Sequence, residues 1–279
     1  MMSSTSNPYD VGRGRYVNLI TAGPASSESV LFFVHGSCGS ASQWDAQIAR
    51  FSAQHRVIAF DAFGCGESPK PRDWVAYSPE NMLADLRVIF DRHRGRSNVL
   101  IAHSYGTALA MRLAAQLAAE GDGIAVGGVA LLGTAPEFPG GTPAVFYFPE
   151  WLLRCLQPAM SRAFVKMAFS DAPSSRRLRE SALASSNRNP MHMCKAFYRQ
   201  ARWASPREIG TVATRVLIVA GADDGITPAS GGELLERHLL SASTVRFEVV
   251  GQAGHQMMQE QPDRVNALLT DFVAMNEAT

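Results

Sequence analysis

The chain has 279 residues, 46% of them hydrophobic, and a formal net charge of +1. A chain of this length can bury a substantial core, and a single α/β domain with an insertion fits it. The small net charge gives no reason to expect a nucleic-acid partner, and no apolar run approaches the roughly 18 residues of a membrane span. Nucleic-acid binding and a membrane-spanning role are therefore not predicted.

The N-terminal residues Met1–Pro8 predict a short polar tail, because they lack the apolar segment of a signal peptide. The cytoplasm is therefore the expected location. The cysteines show no CxxC pair and no metal-ligand spacing, so we expect free thiols and neither a metal nor an organic cofactor. They are Cys38, Cys65, Cys155 and Cys194.

Short apolar runs alternate with helix-favouring runs along the chain, which predicts a mostly parallel sheet with helices packed around it. The predicted strands lie near Tyr16–Ile20, Val30–Val34, Arg56–Phe60, Asn98–Ala102, Gly128–Leu132, Arg215–Ala220 and Thr244–Val250. In an open parallel sheet, functional groups gather at the carboxyl ends of the strands. The segments that follow these strands are therefore the candidates for a site.

A glycine-rich loop, His35–Ser40, follows the second predicted strand. Glycine lets a backbone approach a ligand closely, which suits a site that stabilises the oxyanion of a carbonyl reaction. By its position, the backbone amide of Ser37 is the candidate donor from this loop.

The most informative motif is the pentapeptide Ala102–Gly106, which stands between a buried strand and a helix-favouring run. Its serine, Ser104, has a small residue two positions away on either side, as the sharp turn of a nucleophile elbow requires. The amide of Tyr105, the next residue, is then the second oxyanion donor. A plainer alternative is that Ser104 only caps the following helix.

The connection between Leu132 and Arg215 is too long for an ordinary loop, which usually has about 2–6 residues in such units. We therefore predict a cap over residues 138–207, called the insertion below, and a core made of residues 1–137 and 208–279. Trp151–Leu156 and Phe164–Phe169 predict short amphipathic helices within the insertion.

The insertion is strongly basic. It holds eleven Lys and Arg against three Asp and Glu, a balance of +8. One interpretation is a solvated outer face. The other is an apolar and cationic lid that receives acyl chains, anionic head groups or a membrane surface.

Two carboxylates follow the sixth predicted strand, in the loop Gly221–Pro228. Either Asp223 or Asp224 could orient a catalytic base. The base itself is predicted to be His255, which closely follows the last strand, because serine hydrolases with an elbow order their triad as Ser, then Asp or Glu, then His. An imidazole titrates near neutral pH, so it can take a proton from a serine and return it to a leaving group.

These motifs together resemble the α/β-hydrolase superfamily, which includes lipases, esterases, acylglycerol hydrolases and abhydrolase-domain proteins. The segments that carry the resemblance are His35-Gly36, Asp61–Ser68, the elbow at Ser104, the Asp224 loop and Gly254-His255. The resemblance implies the α/β-hydrolase fold, with helices on both faces of the sheet and an inserted helical cap. It also favours Asp224 over Asp223, because Gly221, Asp224 and Pro228 match the Gly-x-x-Asp-x-x-x-Pro pattern of that fold.

The resemblance further implies a reaction. Haloalkane dehalogenases and epoxide hydrolases of this superfamily use an aspartate nucleophile at the elbow, whereas a serine implies attack on an acyl carbon. We expect hydrolysis of a carboxylic ester, with Ser104 as nucleophile, His255 as general base and Asp224 as orienting acid. A perhydrolase, a carbon–carbon hydrolase and a non-catalytic ligand-binding or signalling protein remain alternatives. The expected partners are a small acyl substrate and, through the basic insertion, an anionic lipid surface.

Overall fold

The computed structural model describes residues 5–122, 125–137, 141–185 and 188–277. Within them, eight strands form one sheet in the order β1-β2-β4-β3-β5-β6-β7-β8. The strands are β1 (Thr5–Gly12), β2 (Arg15–Ala22), β3 (Ser29–Val34), β4 (Arg56–Asp61), β5 (Ser97–His103), β6 (Gly128–Leu132), β7 (Arg215–Gly221) and β8 (Thr244–Val250). The α-helices are α1 (Asp45–Phe51), α2 (Pro79–His93), α3 (Tyr105–Ala119), α4 (Glu150–Ala168), α5 (Arg176–Ser185), α6 (Met191–Gln200), α7 (Pro206–Gly210), α8 (Ala229–Glu236), α9 (Met257–Glu260) and α10 (Pro262–Glu277).

The sheet is mostly parallel. Strands β3 to β8 pair in parallel with their neighbours, and only β1 with β2 and β2 with β4 pair antiparallel. The predicted fold class is confirmed, and each of the seven predicted strands is present. Parallel order brings the loops after β3, β5, β7 and β8 to one edge of the sheet.

The central strands contain continuous apolar runs because helices cover both of their faces. In β3, Phe32 and Val34 pack into the cluster that contains residues of α2 and α3. The alternate residues Leu31 and Phe33 pack into the opposite cluster, with residues of α1 and α10. This two-sided burial anchors the strand ends from which the site projects.

The predicted polar tail is wrong from Thr5 onwards, because β1 begins there and pairs with β2. Most of β1 is exposed, and this edge strand has only one neighbour in the sheet. An edge strand tolerates polar residues and even Pro8, whose missing N–H would disrupt a central strand. Its sequence therefore lacks the apolar signal of the buried strands.

The predicted pair of short helices in the insertion is also wrong. A single helix, α4, runs through both segments and contains Pro158. Leu153 and Val165 are buried on either side of that proline, and their packing holds the two halves in one helix. The predicted boundary at residue 138 lies outside the described residues, and the other boundary falls within α7. The division into core and cap stays a prediction.

Candidate active site

Ser104 occupies the turn between β5 and α3, with φ +52° and ψ −125°. Positive φ is strained for a residue with a side chain, so the surrounding packing must hold it. A Cβ at Gly36 would lie 2.8 Å from Ser104 Cβ, and one at Gly106 would lie 2.6 Å from the His35 carbonyl oxygen. Only glycine fits at these two positions without displacing a neighbour.

The plainer interpretation of Ser104 does not describe its geometry. The residue stands at the N-cap position of α3, but its side chain makes no capping hydrogen bond. Its backbone N–H instead donates to the Leu132 carbonyl at the end of β6, at 2.9 Å. The hydroxyl is therefore left for another role.

The loops after β7 and β8 bring a carboxylate and an imidazole together. Asp224 Oδ2 lies 2.8 Å from His255 Nδ1, and both side chains are buried. Thr227 supports the carboxylate with its backbone N–H and its hydroxyl, each at 2.8 Å. Since the carboxylate accepts the Nδ1 proton, the neutral imidazole keeps Nε2 free to accept another.

Two opposing effects set the pKa of Asp224. Burial raises it, whereas the charge of His255 and hydrogen bonds from His255 and Thr227 lower it, and the net pKa lies below its ordinary value. Asp224 is therefore an anion at neutral pH. An anion beside Nδ1 stabilises the imidazolium that forms when Nε2 takes a proton.

The neighbouring carboxylate faces elsewhere. Asp223 Oδ2 accepts a hydrogen bond from the Ser170 hydroxyl at 2.6 Å, in the insertion. The two adjacent aspartates thus have different partners, and only Asp224 contacts the histidine.

His103 connects the elbow to the histidine loop. Its ring lies 4.5 Å from the ring of His255, and its Nε2 donates to the His255 carbonyl at 2.8 Å. Burial, reinforced by His255, holds the pKa of His103 well below its usual value, so the ring is a neutral donor. Among the described residues, no hydrogen bond joins Ser104 Oγ to His255. Such bonds are often long before substrate binds.

The glycine-rich loop His35–Ser40 lies against the elbow. His35 Nδ1 donates to the Gly36 carbonyl at 2.7 Å, while its Nε2 accepts from the Ala62 N–H at 2.8 Å. Burial lowers the pKa of His35, which favours the neutral form that this pattern needs. The imidazole therefore fixes the start of the loop.

The two predicted oxyanion donors lie on separate elements. Ser37 lies in this loop and Tyr105 opens α3. Within the described ranges, neither of their backbone N–H groups donates a hydrogen bond. Neither N–H group is therefore committed to a protein acceptor within these ranges.

The insertion covers this region through α6. The Phe197 ring meets the Tyr105 ring edge-on at 4.9 Å, and the Tyr198 hydroxyl lies beside the Ser37 side chain. Burial raises the pKa of Tyr105 to about 12, so its hydroxyl stays protonated. Ser104 is only 8% exposed beneath these contacts.

Sequence reasoning missed Glu260, which joins the insertion to the histidine loop. Its Oε1 accepts from Ser170 N at 2.8 Å and from Ser175 Oγ at 2.6 Å, while its Oε2 accepts from Gly254 N at 2.7 Å. The residue is 7% exposed, and Gly254 immediately precedes His255. A single glutamate on a short helix gives no sequence signal, because most glutamates are exposed.

Main-chain bonds reinforce the same junction. Gly225 N donates to the Met167 carbonyl at 2.9 Å, and Gln256 N donates to the Ala168 carbonyl at 3.2 Å. Both donors immediately follow the acid or the base. The C-terminal end of α4 is therefore hydrogen-bonded to both loops of the Asp224–His255 pair.

Comparison with known proteins shows the family to which the chain is similar. A profile of the alpha/beta hydrolase family matches residues 31–268. The chain belongs to this family. That assignment confirms the predicted superfamily, the α/β hydrolases.

Two curated relatives and one solved structure illustrate the family's range. Human ABHD8 is 29% identical over 255 residues, which cover 89% of this chain and 56% of ABHD8, so the chain spans about half of that relative. Epoxide hydrolase 2 of Caenorhabditis elegans is 22% identical over 282 residues, with 94% of this chain and 77% of that protein covered. An enol-lactonase from Burkholderia xenovorans LB400 superposes with a TM-score of 0.81 at 19% identity, covering 96% of this chain and 100% of that chain.

At that identity the solved structure supports the fold alone.

Within the described ranges, no helix is both long enough and apolar enough to cross a lipid bilayer.

Proposed function

We propose that this alpha/beta hydrolase cleaves a carboxylic ester through an acyl-enzyme intermediate. One observation carries the proposal, the 2.8 Å contact between Asp224 Oδ2 and His255 Nδ1, on the edge of the sheet that also carries a serine held at positive φ. A carboxylate on Nδ1 fixes the tautomer in which Nε2 accepts a proton. The serine at the elbow supports acyl chemistry.

In the first half of the reaction, Ser104 Oγ attacks the ester carbonyl carbon while its proton passes to His255 Nε2. The Asp224 carboxylate stabilises the resulting imidazolium. The N–H groups of Ser37 and Tyr105 donate to the oxyanion, where preorganised donors contribute most. When the tetrahedral intermediate collapses, His255 returns the proton to the leaving alcohol and the acyl group stays on Ser104.

In the second half, His255 takes a proton from water, and the hydroxide attacks the acyl carbon. The same donors hold the oxyanion, and collapse releases the carboxylic acid and restores the Ser104 hydroxyl. In each half of the reaction, His255 Nε2 takes up one proton from the nucleophile and returns it to the leaving oxygen.

We further propose that the insertion selects the acyl group and contacts an anionic lipid surface. Its three acidic residues, Glu150, Asp171 and Glu180, each pair with an arginine of the insertion, which leaves a cationic excess. Tyr147 and Trp151 are 60% and 66% exposed. Exposed aromatic rings beside basic side chains suit the interface of an anionic membrane.

A fluorophosphonate probe and a series of p-nitrophenyl esters of increasing chain length test the catalytic proposal. We expect covalent labelling and turnover by the unmodified protein, and neither by the Ser104→Ala variant. Labelling without turnover of any ester would contradict ester hydrolysis and favour another acyl reaction. Absence of both in the folded, unmodified protein would favour a ligand-binding role.

A further inference from the structure

Three of the four cysteines lie in or next to the His35–Ser40 loop. Cys38 lies in the loop, Cys194 lies in the first turn of α6, and their sulfur atoms are 3.7 Å apart. Cys65 lies close to the main chain of Cys38. Cys155, on α4, is exposed.

The close pair joins two separate parts of the molecule. Cys38 and Cys194 are 156 positions apart, one in the predicted core and the other in the insertion. Asn189, just before α6, donates its side-chain N–H to the Cys38 carbonyl at 2.5 Å. Tyr198, one turn after Cys194, lies beside the Ser37 side chain. A covalent bond between the two sulfurs would therefore fasten α6 to the loop that carries a proposed oxyanion donor.

We propose that Cys38 and Cys194 form a reversible disulfide when a peroxide oxidises the protein. A disulfide needs a sulfur separation of about 2.05 Å. The two sulfurs, which are 3.7 Å apart, must therefore move closer by about 1.7 Å. Cys38 lies in a turn of the loop and Cys194 in the first turn of α6, where small backbone shifts cost less than in the buried strands.

The chemistry needs only hydrogen peroxide as co-reactant. The Cys38 sulfur attacks the O–O bond, which breaks, and a sulfenic acid and one water form. The Cys194 sulfur then attacks the sulfenic sulfur, and the hydroxyl leaves as a second water. Two thiols lose two electrons and two protons in total, and the peroxide is reduced to two waters.

Cys38 is the better first target because it is half-buried, whereas Cys65 and Cys194 are buried. Its hydrogen bond to Cys194 raises the pKa of Cys38 well above its usual value, and burial adds to this effect. The thiol is therefore protonated, and its reaction with peroxide is slow. This chemistry suits a response to sustained oxidation rather than a fast sensor.

Peptide mapping of the unmodified protein tests the disulfide directly. After treatment with hydrogen peroxide and blocking of the remaining thiols with N-ethylmaleimide, trypsin places the cysteines in the separate peptides 16–50, 57–72, 155–162 and 189–195. We expect a linked pair of 16–50 and 189–195, which dithiothreitol separates. If Cys155 is oxidised while these two peptides stay unlinked, or if 57–72 takes the place of either, the proposal is overturned.

Variants sharpen the assignment. Cys194→Ser should abolish the linked pair, whereas Cys155→Ser should leave it unchanged. Cys65→Ser distinguishes a direct bond from one reached by exchange through the third thiol, because only the direct bond survives that change. The wild-type map decides the question even if a variant fails to fold.

The consequence for catalysis rests on the proposed function. Oxidation should slow fluorophosphonate labelling of Ser104 roughly tenfold or more, because α6 tied to the His35–Ser40 loop limits access of the probe to the serine. Dithiothreitol should restore the labelling. A linked pair with unchanged labelling would overturn the consequence for access. Absence of labelling in the reduced protein would count against the ester-hydrolase proposal and leave the peptide map valid.

Discussion

The predicted core and the insertion specify their structures in different ways. In the core, buried strands of a single sheet hold the loops of Ser104, Asp224 and His255 at one edge of that sheet. The insertion has few buried side chains along α4 and meets the site through several polar contacts, such as those of Ser170 and Tyr198. Chemistry should therefore depend on the core, and access and selectivity on the insertion.

The sharpest test of that comparison lies in the core. Ser104→Ala and His255→Ala should each lower kcat by roughly 10⁶-fold, because triad members act as a unit. The double variant should be little worse than either single one. Kinetics with a short p-nitrophenyl ester measure the effect, and circular dichroism checks the fold. Additive losses would mean that the two residues do not act in one step.

The second test compares the adjacent carboxylates. Asp224→Asn should lower kcat on the order of 10⁴-fold with a small change in KM, since an amide favours the wrong tautomer of His255, as in serine proteases. Asp223→Asn is the matched control. It should be mild, because Asp223 bonds Ser170 in the insertion. A reversed ranking would move the orienting role to Asp223.

A smaller effect is expected where the two regions meet. Glu260→Gln replaces an acceptor oxygen with an N–H₂ group, which leaves Gly254 N or the Ser170 and Ser175 donors without a partner. Unfolding free energy should fall by about 1–3 kcal/mol, and kcat should fall more than KM changes.

The exposed Asp263 provides the matched control for that change, and Asp263→Asn should be neutral in both measurements. If Glu260→Gln lowers stability but leaves kcat unchanged, the residue has a purely structural role and does not position His255.

The smallest expected effect concerns the surface of the insertion. Arg162 and Lys166 are exposed and lie one turn apart on α4. Arg162→Glu should weaken binding to vesicles that contain phosphatidylserine by a fewfold, since a basic residue near such a surface contributes about 1 kcal/mol. Arg96→Glu makes the same charge change in the core and should have less effect.

Salt separates this attraction from other contacts, because charges are screened beyond about 8 Å at physiological ionic strength. Vesicle co-sedimentation at rising salt should show declining binding. Equal binding to neutral and anionic vesicles would leave the basic side chains as a solvated face.

How far the sequence predicts this molecule depends on whether a feature is local. Strands such as β3 and β5 each contain a continuous apolar run, and the elbow and the acid loop are contiguous motifs, so each is visible without a structure. The edge strand β1 is polar and paired on one side only, which removes the signal that the buried strands carry.

Features that depend on distant residues gave no such signal. Glu260 and Ser170 are 90 positions apart, and Cys38 and Cys194 are 156 positions apart. Nothing in the residues around either pair indicates its partner. The continuity of α4 across Pro158 likewise depends on packing at both ends, which a local rule about proline does not contain.

The hydrogen bond between Gly225 N and the Met167 carbonyl bears on how this protein could diverge. Met167 contributes its main chain to the contact, while its side chain is exposed. A contact made by backbone atoms is indifferent to the side chain that accompanies it, so the helix end can exchange residues without disturbing the acid loop. The exposed side chains of α4 could therefore change extensively through selection or design. A different insertion transplanted onto this core would keep the hydrogen bond to the acid loop if it preserved this stretch of backbone.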